Sequence, residues 1–285
     1  MALGSDSDLN LVQPAGASKS VSQASKNPSL KVIGLTGDQR LVAFRSTHPG
    51  AVATLGKVSG LMADQKLVGI DYRVQNGKLY GVGDQGGIYT LHTGNASAAK
   101  VSQLTVPLQG TNFGVDFNPA ANRLRVISDT GQNLRHNIDD PAGAPAAGAT
   151  ANDGTLTNPP VPPAQTGATA TGVTGAAYTN NDLDTNTGTT LFDVDTTLDQ
   201  TSVQSPANAG NLAPTGKLRV DAGPSAGFDV YYSAAAGTNT GFAALRLGSE
   251  SRFFRINLLT GRAIPVGAFP AQGQVVDVAL PLNQG

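Results

Sequence analysis

A Gly-x-Asp segment followed by an aromatic or β-branched residue returns along this chain at nearly regular intervals. It reads Gly69-Ile-Asp71-Tyr72, Gly114-Val-Asp116-Phe117 and Gly227-Phe-Asp229-Val230, and it closes as Val275-Val-Asp277-Val278. A degenerate copy, Gly175-Ala-Ala177-Tyr178, stands where a fifth is due. The third residues of successive copies are 45, 61, 52 and 48 positions apart. In a strand-rich chain a period of roughly 40–50 residues means one supersecondary unit repeated, with neighbouring units burying each other's faces.

Each copy expands into four strand patterns. The first holds the Gly-x-Asp segment. A turn follows, such as Gln75-Asn-Gly77 or Ala120-Ala-Asn-Arg123. The second reads Lys78-Leu-Tyr-Gly-Val or Leu124-Arg-Val-Ile, and the third Gly87-Ile-Tyr-Thr-Leu or Arg252-Phe-Phe-Arg-Ile-Asn. The fourth reads Ala99-Lys-Val-Ser-Gln-Leu or Ala263-Ile-Pro-Val-Gly. Alternation bounded by Gly, Asn and Asp predicts half-buried antiparallel strands, and no window carries an amphipathic helical pattern.

The two ends complement each other. Residues 31–57 supply a second, third and fourth strand without a first, and residues 274–281 supply a lone first strand. Together they make one unit, which closes a ring and protects the sheet edges. The expected fold is all-β: a β-propeller of five four-stranded blades, closed by pairing of the C-terminal strand with the N-terminal blade. A six-bladed ring, the alternative, would need a further blade inside 139–171. Residues 1–29, polar and aperiodic, read as a flexible lead-in. Residues 30–285 read as one propeller domain with long loops at 139–171, rich in Pro, Ala and Gly, and at 180–188, rich in Asn and Asp. Long loops on a rigid scaffold carry function more often than average.

Several function classes are set aside by composition. The net charge is −1 and there is no basic run, which disfavours a nucleic-acid partner. No apolar run reaches spanning length. With no Cys among 285 residues, disulfides and thiolate metal sites are excluded. Charged residues make up only 14%, so Thr, Asn, Gln, Ser and Gly must cover the surface. That balance is commoner in secreted bacterial proteins. The start, Met1-Ala-Leu-Gly-Ser-Asp, lacks the basic and apolar regions of a signal peptide. Either the protein is cytosolic or a signal has been removed and Met1 added. Composition favours the second, hence an extracellular or periplasmic protein, expected to be a monomer.

Three constellations are candidate sites. Asp71, Asp116, Asp229 and Asp277 occupy equivalent places on innermost strands. They would form either an axial site for a hard cation, Ca²⁺ or Mg²⁺, or a set of staples accepting backbone N–H groups of neighbouring blades; their repetition in nearly every blade favours staples. Asp182, Asp184, Asn186 and Asp193 stand at relative positions 1, 3, 5 and 12, as in a calcium loop. Gly falls at position 7 rather than 6, however, and an Asx-rich turn fits the pattern as well. Arg123, Arg125, Asp129, Asn133, Arg135 and His136 form a polar cluster. It reads either as an anion or sugar patch of Arg forks or as inter-blade salt bridges. The histidines show no metal spacing, and no nucleophile-elbow or phosphate-loop motif occurs.

The run Phe113-Gly-Val-Asp-Phe-Asn-Pro with Asn122-Arg-Leu-Arg-Val-Ile-Ser-Asp-Thr-Gly-Gln-Asn-Leu-Arg135 resembles the signature of a bacterial family catalogued as domain of unknown function 4394. So do Gly69-Ile-Asp-Tyr-Arg, Ala176-Ala-Tyr-Thr-Asn-Asn and Arg252-Phe-Phe-Arg-Ile-Asn-Leu-Leu-Thr-Gly. The similarity covers about residues 30–282. It implies a propeller-like, extracellular protein and brings no activity with it. Two functions stay open. One is a secreted binding or scaffold module for carbohydrate, peptide, small molecule or surface polymer. The other is an extracellular hydrolase or lyase acting on polysaccharide, with tunnel-mouth Asp residues as acid and base.

Overall fold

A computed structural model describes residues 28–284. The expected lead-in over 1–29 lies outside the described residues except for Pro28 and Ser29. The chain forms five four-stranded antiparallel sheets arranged as blades. Blade 1 holds β1 (Lys31–Thr36), β2 (Arg40–Arg45) and β3 (His48–Lys57). Blade 2 holds β4 (Leu67–Arg73), β5 (Lys78–Gly83), β6 (Gly87–Leu91) and β7 (Ala98–Gln103). Blade 3 holds β8 (Phe113–Asn118), β9 (Arg123–Ser128), β10 (Asn133–His136) and β11 (Thr150–Asn152). Blade 4 holds β12 (Val173–Tyr178), β13 (Leu191–Asp195), β14 (Gln200–Gln204) and β15 (Leu212–Lys217). Blade 5 holds β16 (Ala226–Ser233), β17 (Thr238–Leu247), β18 (Glu250–Ile256) and β19 (Ala263–Ala268).

The last strand, β20 (Val275–Ala279), pairs with β1 and completes blade 1, with Gly34 opposite Val278 and Leu35 opposite Asp277. The ring is thus closed by the C-terminal strand, in five blades.

Five apolar clusters fill the five seams between blades. Ile33, Leu35, Ile70 and Tyr89 join blades 1 and 2. Val82, Ile88, Val115 and Phe117 join 2 and 3, and Ile127, Val173 and Tyr178 join 3 and 4. Phe192, Val194, Phe228 and Phe254 join 4 and 5. Phe44, Phe242, Phe253 and Phe269 join 5 and 1, with Phe44 and Phe253 edge to face at 5.0 Å. Burial falls outward: β9 and β12 are buried at every residue, whereas outermost β7 is largely exposed. This gradient explains why inner strands carry small and apolar residues in runs while outer strands are polar.

The glycine of each Gly-x-Asp lets innermost strands approach. A Cβ at Gly114 would sit 2.7 Å from the Ala176 nitrogen, and one at Gly227 would sit 2.3 Å from the Asp277 Cα. At Gly69 it would meet Val115 Cγ2 at 2.4 Å, and at Gly175 it would meet Phe228 Cβ at 2.9 Å. Each glycine therefore faces the next blade, including the one in the degenerate copy.

One departure from the expected loops stands out. Within 139–171 the chain makes β11, the outer strand of blade 3, pairing Leu134 with Asn152 and His136 with Thr150. Thr150-Ala-Asn152 has no hydrophobic alternation, so only its pairing reveals it. Residues 180–188 contain no strand.

His136 sits wholly buried between Ser102 Oγ of blade 2 at 2.8 Å and Thr150 Oγ1 at 2.9 Å. Burial pushes its pKa down to about 4. The unfolded chain therefore binds a proton below about pH 6.5 that the native state resists, so this stabilisation is present above that pH and is lost as pH falls towards 4. Up to about 3 kcal/mol is at stake. Melting curves from pH 7 to 4 should show the difference between wild type and His136→Gln narrowing by that amount; a constant difference would show that His136 does not titrate on folding.

Candidate functional site

The repeated aspartates lie midway along the innermost strands, and all are buried. Each accepts an N–H from the next blade round the ring. Ile70 N–H donates to Asp277 Oδ2 at 2.7 Å, and Phe117 N–H to Asp71 Oδ2 at 2.8 Å. Tyr178 N–H donates to Asp116 Oδ1 at 3.1 Å, and Leu280 N–H to Asp229 Oδ2 at 2.6 Å. Four of the five seams are stapled in this way. Charge-assisted bonds to backbone N–H are among the stronger hydrogen bonds.

The same geometry concentrates charge. Asp71, Asp116 and Asp229 each bring one carboxylate oxygen within 4.8 Å of the other two. At an effective dielectric of about 20, two unit charges at such a distance repel by about 3–4 kcal/mol. Burial, reinforced by the neighbouring carboxylates, holds Asp71 and Asp116 well above the usual carboxylate range. Burial does the same to Asp277. Asp229 is pushed up to about 6 by burial, against the opposing bonds from Leu280 and Val230. Tyr72 beside them rises to about 12, through burial and then the charges of Asp71 and Asp229.

The seam between blades 4 and 5 is built differently, because Ala177 offers no carboxylate. There, Asn181 Nδ2 donates to the Val230 carbonyl at 2.9 Å. Asn180 and Asn239 form a reciprocal pair: Asn180 N–H donates to Asn239 Oδ1 at 2.8 Å, and Asn239 Nδ2 donates to Asn180 Oδ1 at 2.6 Å. Asn180 adopts φ 56°, in the left-handed region that Asn tolerates. Amides from the loop that follows β12 thus take over the role the aspartate has elsewhere.

A groove of about 590 Å³ opens at this seam. Hydroxyl and amide side chains line it (Thr179, Asn180, Thr190, Asn239, Thr240, Asn257), with Arg255 beside an apolar floor that includes Phe192, Ile256 and Ile264. Leu259 stands on its rim, 81% exposed. A more apolar lobe of about 570 Å³, including Tyr231, Phe242 and Val266, adjoins it and shares Thr240, Arg255 and Ile264. The two lobes lie on either side of blade 5, the first towards blade 4 and the second towards blade 1.

The polar cluster of blade 3 is a buried bonding network. Arg125, 2% exposed, donates to Tyr178 Oη at 3.2 Å, Asn133 Oδ1 at 2.7 Å, Asp153 Oδ2 at 2.8 Å and Asn208 Oδ1 at 2.7 Å. Tyr178 and Asn208 belong to blade 4, so this arginine crosses a seam. Asp153 also holds Arg135, at 3.0 and 3.1 Å, and so reconciles two arginines paired directly across β9 and β10. Arg123 bonds Asp140 at 3.0 Å and carbonyls of its own hairpin. Asn133 donates to the carbonyls of Gly154 and Ala207. Asp129 receives Thr111 and Asn112. Burial alone would raise its carboxyl, but those bonds hold it below the ordinary range.

The calcium-loop residues are not brought together. Asp182, Asp184 and Asn186 form successive turns in which Asp184 N–H bonds Asp182 Oδ1 and Asn186 N–H bonds Asp184 Oδ1, both at 2.9 Å. Asp193 lies inside β13, 1% exposed, opposite Ser202 and under the field of Arg125. Position 12 of the motif is therefore a strand residue facing blade 3, not a partner of the loop.

The model of the domain of unknown function DUF4394 matches residues 40–279. The chain belongs to the DUF4394 family. No curated protein matches it. Similar solved structures include a protein from Lactobacillus plantarum at 19% identity and TM-score 0.40, covering 85% of this chain and 67% of that one. A protein of unknown function from Bacteroides thetaiotaomicron VPI-5482 is 11% identical with TM-score 0.46, covering 90% and 66%. Kuenenia stuttgartiensis hydrazine synthase is 11% identical with TM-score 0.39, covering 75% of this chain and 53% of that one. None of them bears on what this chain binds.

In this DUF4394 propeller the groove residues were the ones sequence reasoning missed. Arg255 and Asn257 fall within Arg252-Phe-Phe-Arg-Ile-Asn-Leu-Leu-Thr-Gly, one of the segments that carry the family resemblance. Asn180 stands three residues after the Ala177 exception. Those two signals converge in space although about 75 residues separate them in the chain. Among the described residues no helix is long and apolar enough to cross a membrane.

Proposed function

We propose that this DUF4394 propeller is a bacterial binding module that works outside the cytoplasm and seats a glycan in the groove between blades 4 and 5. The observation that carries the reading is the character of the unstapled seam: its groove is lined mainly by hydroxyl and amide groups, whereas the lobe at the stapled seam between blades 5 and 1 is more apolar. Six hydroxyl or amide side chains supply donors and acceptors for sugar hydroxyls, and the apolar floor matches the mixed lining of small-ligand clefts. The charge-poor surface supports an extracellular setting.

Binding is favoured over hydrolysis because the described lining residues include no Asp, Glu or His, and acid–base chemistry needs such a group within reach of the scissile bond. The axial aspartates, the candidates for that role, are buried and engaged by backbone amides.

The full chain should be retained by at least one immobilised polysaccharide from a broad panel. Thr240→Trp, which fills the groove, should weaken retention about tenfold or more, the scale of a lost anchoring contact. Leu259→Asp on the exposed rim should weaken it without shifting the melting curve. Retention by no glycan, or retention of both variants equal to that of wild type, removes the reading. Retention only by peptides overturns the ligand class, and release of reducing ends from a polysaccharide would reinstate the hydrolase.

A further inference from the structure

The axial carboxylates have an unmet need. The charges acting on Asp71 and Asp116 are those of other carboxylates: Asp71 on β4, Asp116 on β8, Asp229 on β16 and Asp277 on β20. From blade 4, β12 contributes only Ala177. Asp116 is 1% exposed, and its Oδ2 has no hydrogen-bond partner although its Oδ1 takes the Tyr178 amide. A buried oxygen left bare in this way is costly unless something occupies it.

The spacing fits a hard divalent cation. Oxygens of Asp71, Asp116 and Asp229 lie within 4.8 Å of one another. Ligands at about 2.3–2.6 Å from Ca²⁺ stand roughly 2.7–5 Å apart. Around Mg²⁺, with bonds of about 2.0–2.1 Å, no two stand more than about 4.2 Å apart, and the octahedron must be near ideal. Carboxylates anchored to the backbones of different blades suit the irregular, adaptable shell of Ca²⁺ better than the near-ideal octahedron of Mg²⁺.

We propose that the propeller axis is a calcium site. Asp71, Asp116 and Asp229 supply one oxygen each, Asp116 through its Oδ2, and water completes the shell. Asp277 adds its field from blade 1. The ion would replace mutual repulsion by a shared attraction at the point where blades 2, 3 and 5 meet, so it would stabilise the ring whatever the groove binds.

The test uses the full chain, stripped with chelator and desalted. In excess calcium it should retain one ion per chain by atomic spectroscopy, and its melting temperature should rise by about 5 °C or more. Asp116→Asn keeps the Tyr178 bond through its amide oxygen and should lose both effects. The loop double variant Asp182→Asn, Asp184→Asn should keep them. No retained calcium with an unchanged melting temperature overturns the proposal. Loss of the response in the loop variant with retention in Asp116→Asn moves the ion to the loop and overturns it too. An equal rise with magnesium overturns the choice of ion. Should Asp116→Asn fail to fold, wild-type stoichiometry and the loop variant still decide.

Discussion

Replacing Gly227 with alanine is expected to destabilise the ring by about 3 kcal/mol or more, at the upper end of what overpacking produces. The added Cβ would lie 2.3 Å from the Asp277 Cα and 2.8 Å from the Val276 carbonyl oxygen. Both are backbone atoms of β20, the strand that closes the ring, so no side chain can swing aside. Relief requires β16 and β20 to separate, and separation stretches the bond from Leu280 N–H to Asp229. The two recurring features of the motif thus fail together. For a domain of this size the melting temperature should fall by about 6–12 °C. Gly188→Ala, where an added Cβ meets nothing within 4 Å, is the matching control and should be near neutral. Equal melting temperatures for the two variants would mean that the innermost strands are not in contact.

The second large effect is expected at Arg125. Arg125→Leu should cost about 3–5 kcal/mol, the usual result of removing one partner from a buried ionic network. Its four bonds to Tyr178, Asn133, Asp153 and Asn208 would be lost at once. Asp193, buried beyond it with neither oxygen hydrogen-bonded, would lose the charge that opposes its desolvation. Arg125→Lys should fall between leucine and wild type, since it restores charge without the guanidinium that reaches four acceptors. Chemical denaturation of the three proteins checks the order. A leucine variant within about 1 kcal/mol of wild type would show that the network contributes packing rather than charge compensation.

The ring was legible because its determinants are periodic and local. Gly and Asp stand at a fixed offset on each inner strand, and the incomplete first and last blades sum to one. The partners of the aspartates were not legible, because a backbone amide has no sequence signature; only the bias of repetition pointed to them. Strand β11 was hidden by its three residues, whose place is set by pairing with Leu134, Arg135 and His136 rather than by their own pattern. Asp153 lay unremarked in the Pro/Ala/Gly-rich stretch, although two arginines depend on it. The groove joins residues 179–192 to 239–264, which only the ring brings together. The exception at Ala177 gave the one hint of it, since it marks the blade whose seam holds the groove.

The central claim is that the repeated Gly-x-Asp holds the ring, leaving binding to the seam that lacks it. Amide hydrogen exchange on the unliganded protein tests this most directly. The amides of Ile70, Phe117, Tyr178 and Leu280 should exchange only through global unfolding, while those of 180–188 and 257–262 at the groove rim exchange through local opening. Fast local exchange at the four stapled amides, at rates like those of the rim, would contradict it.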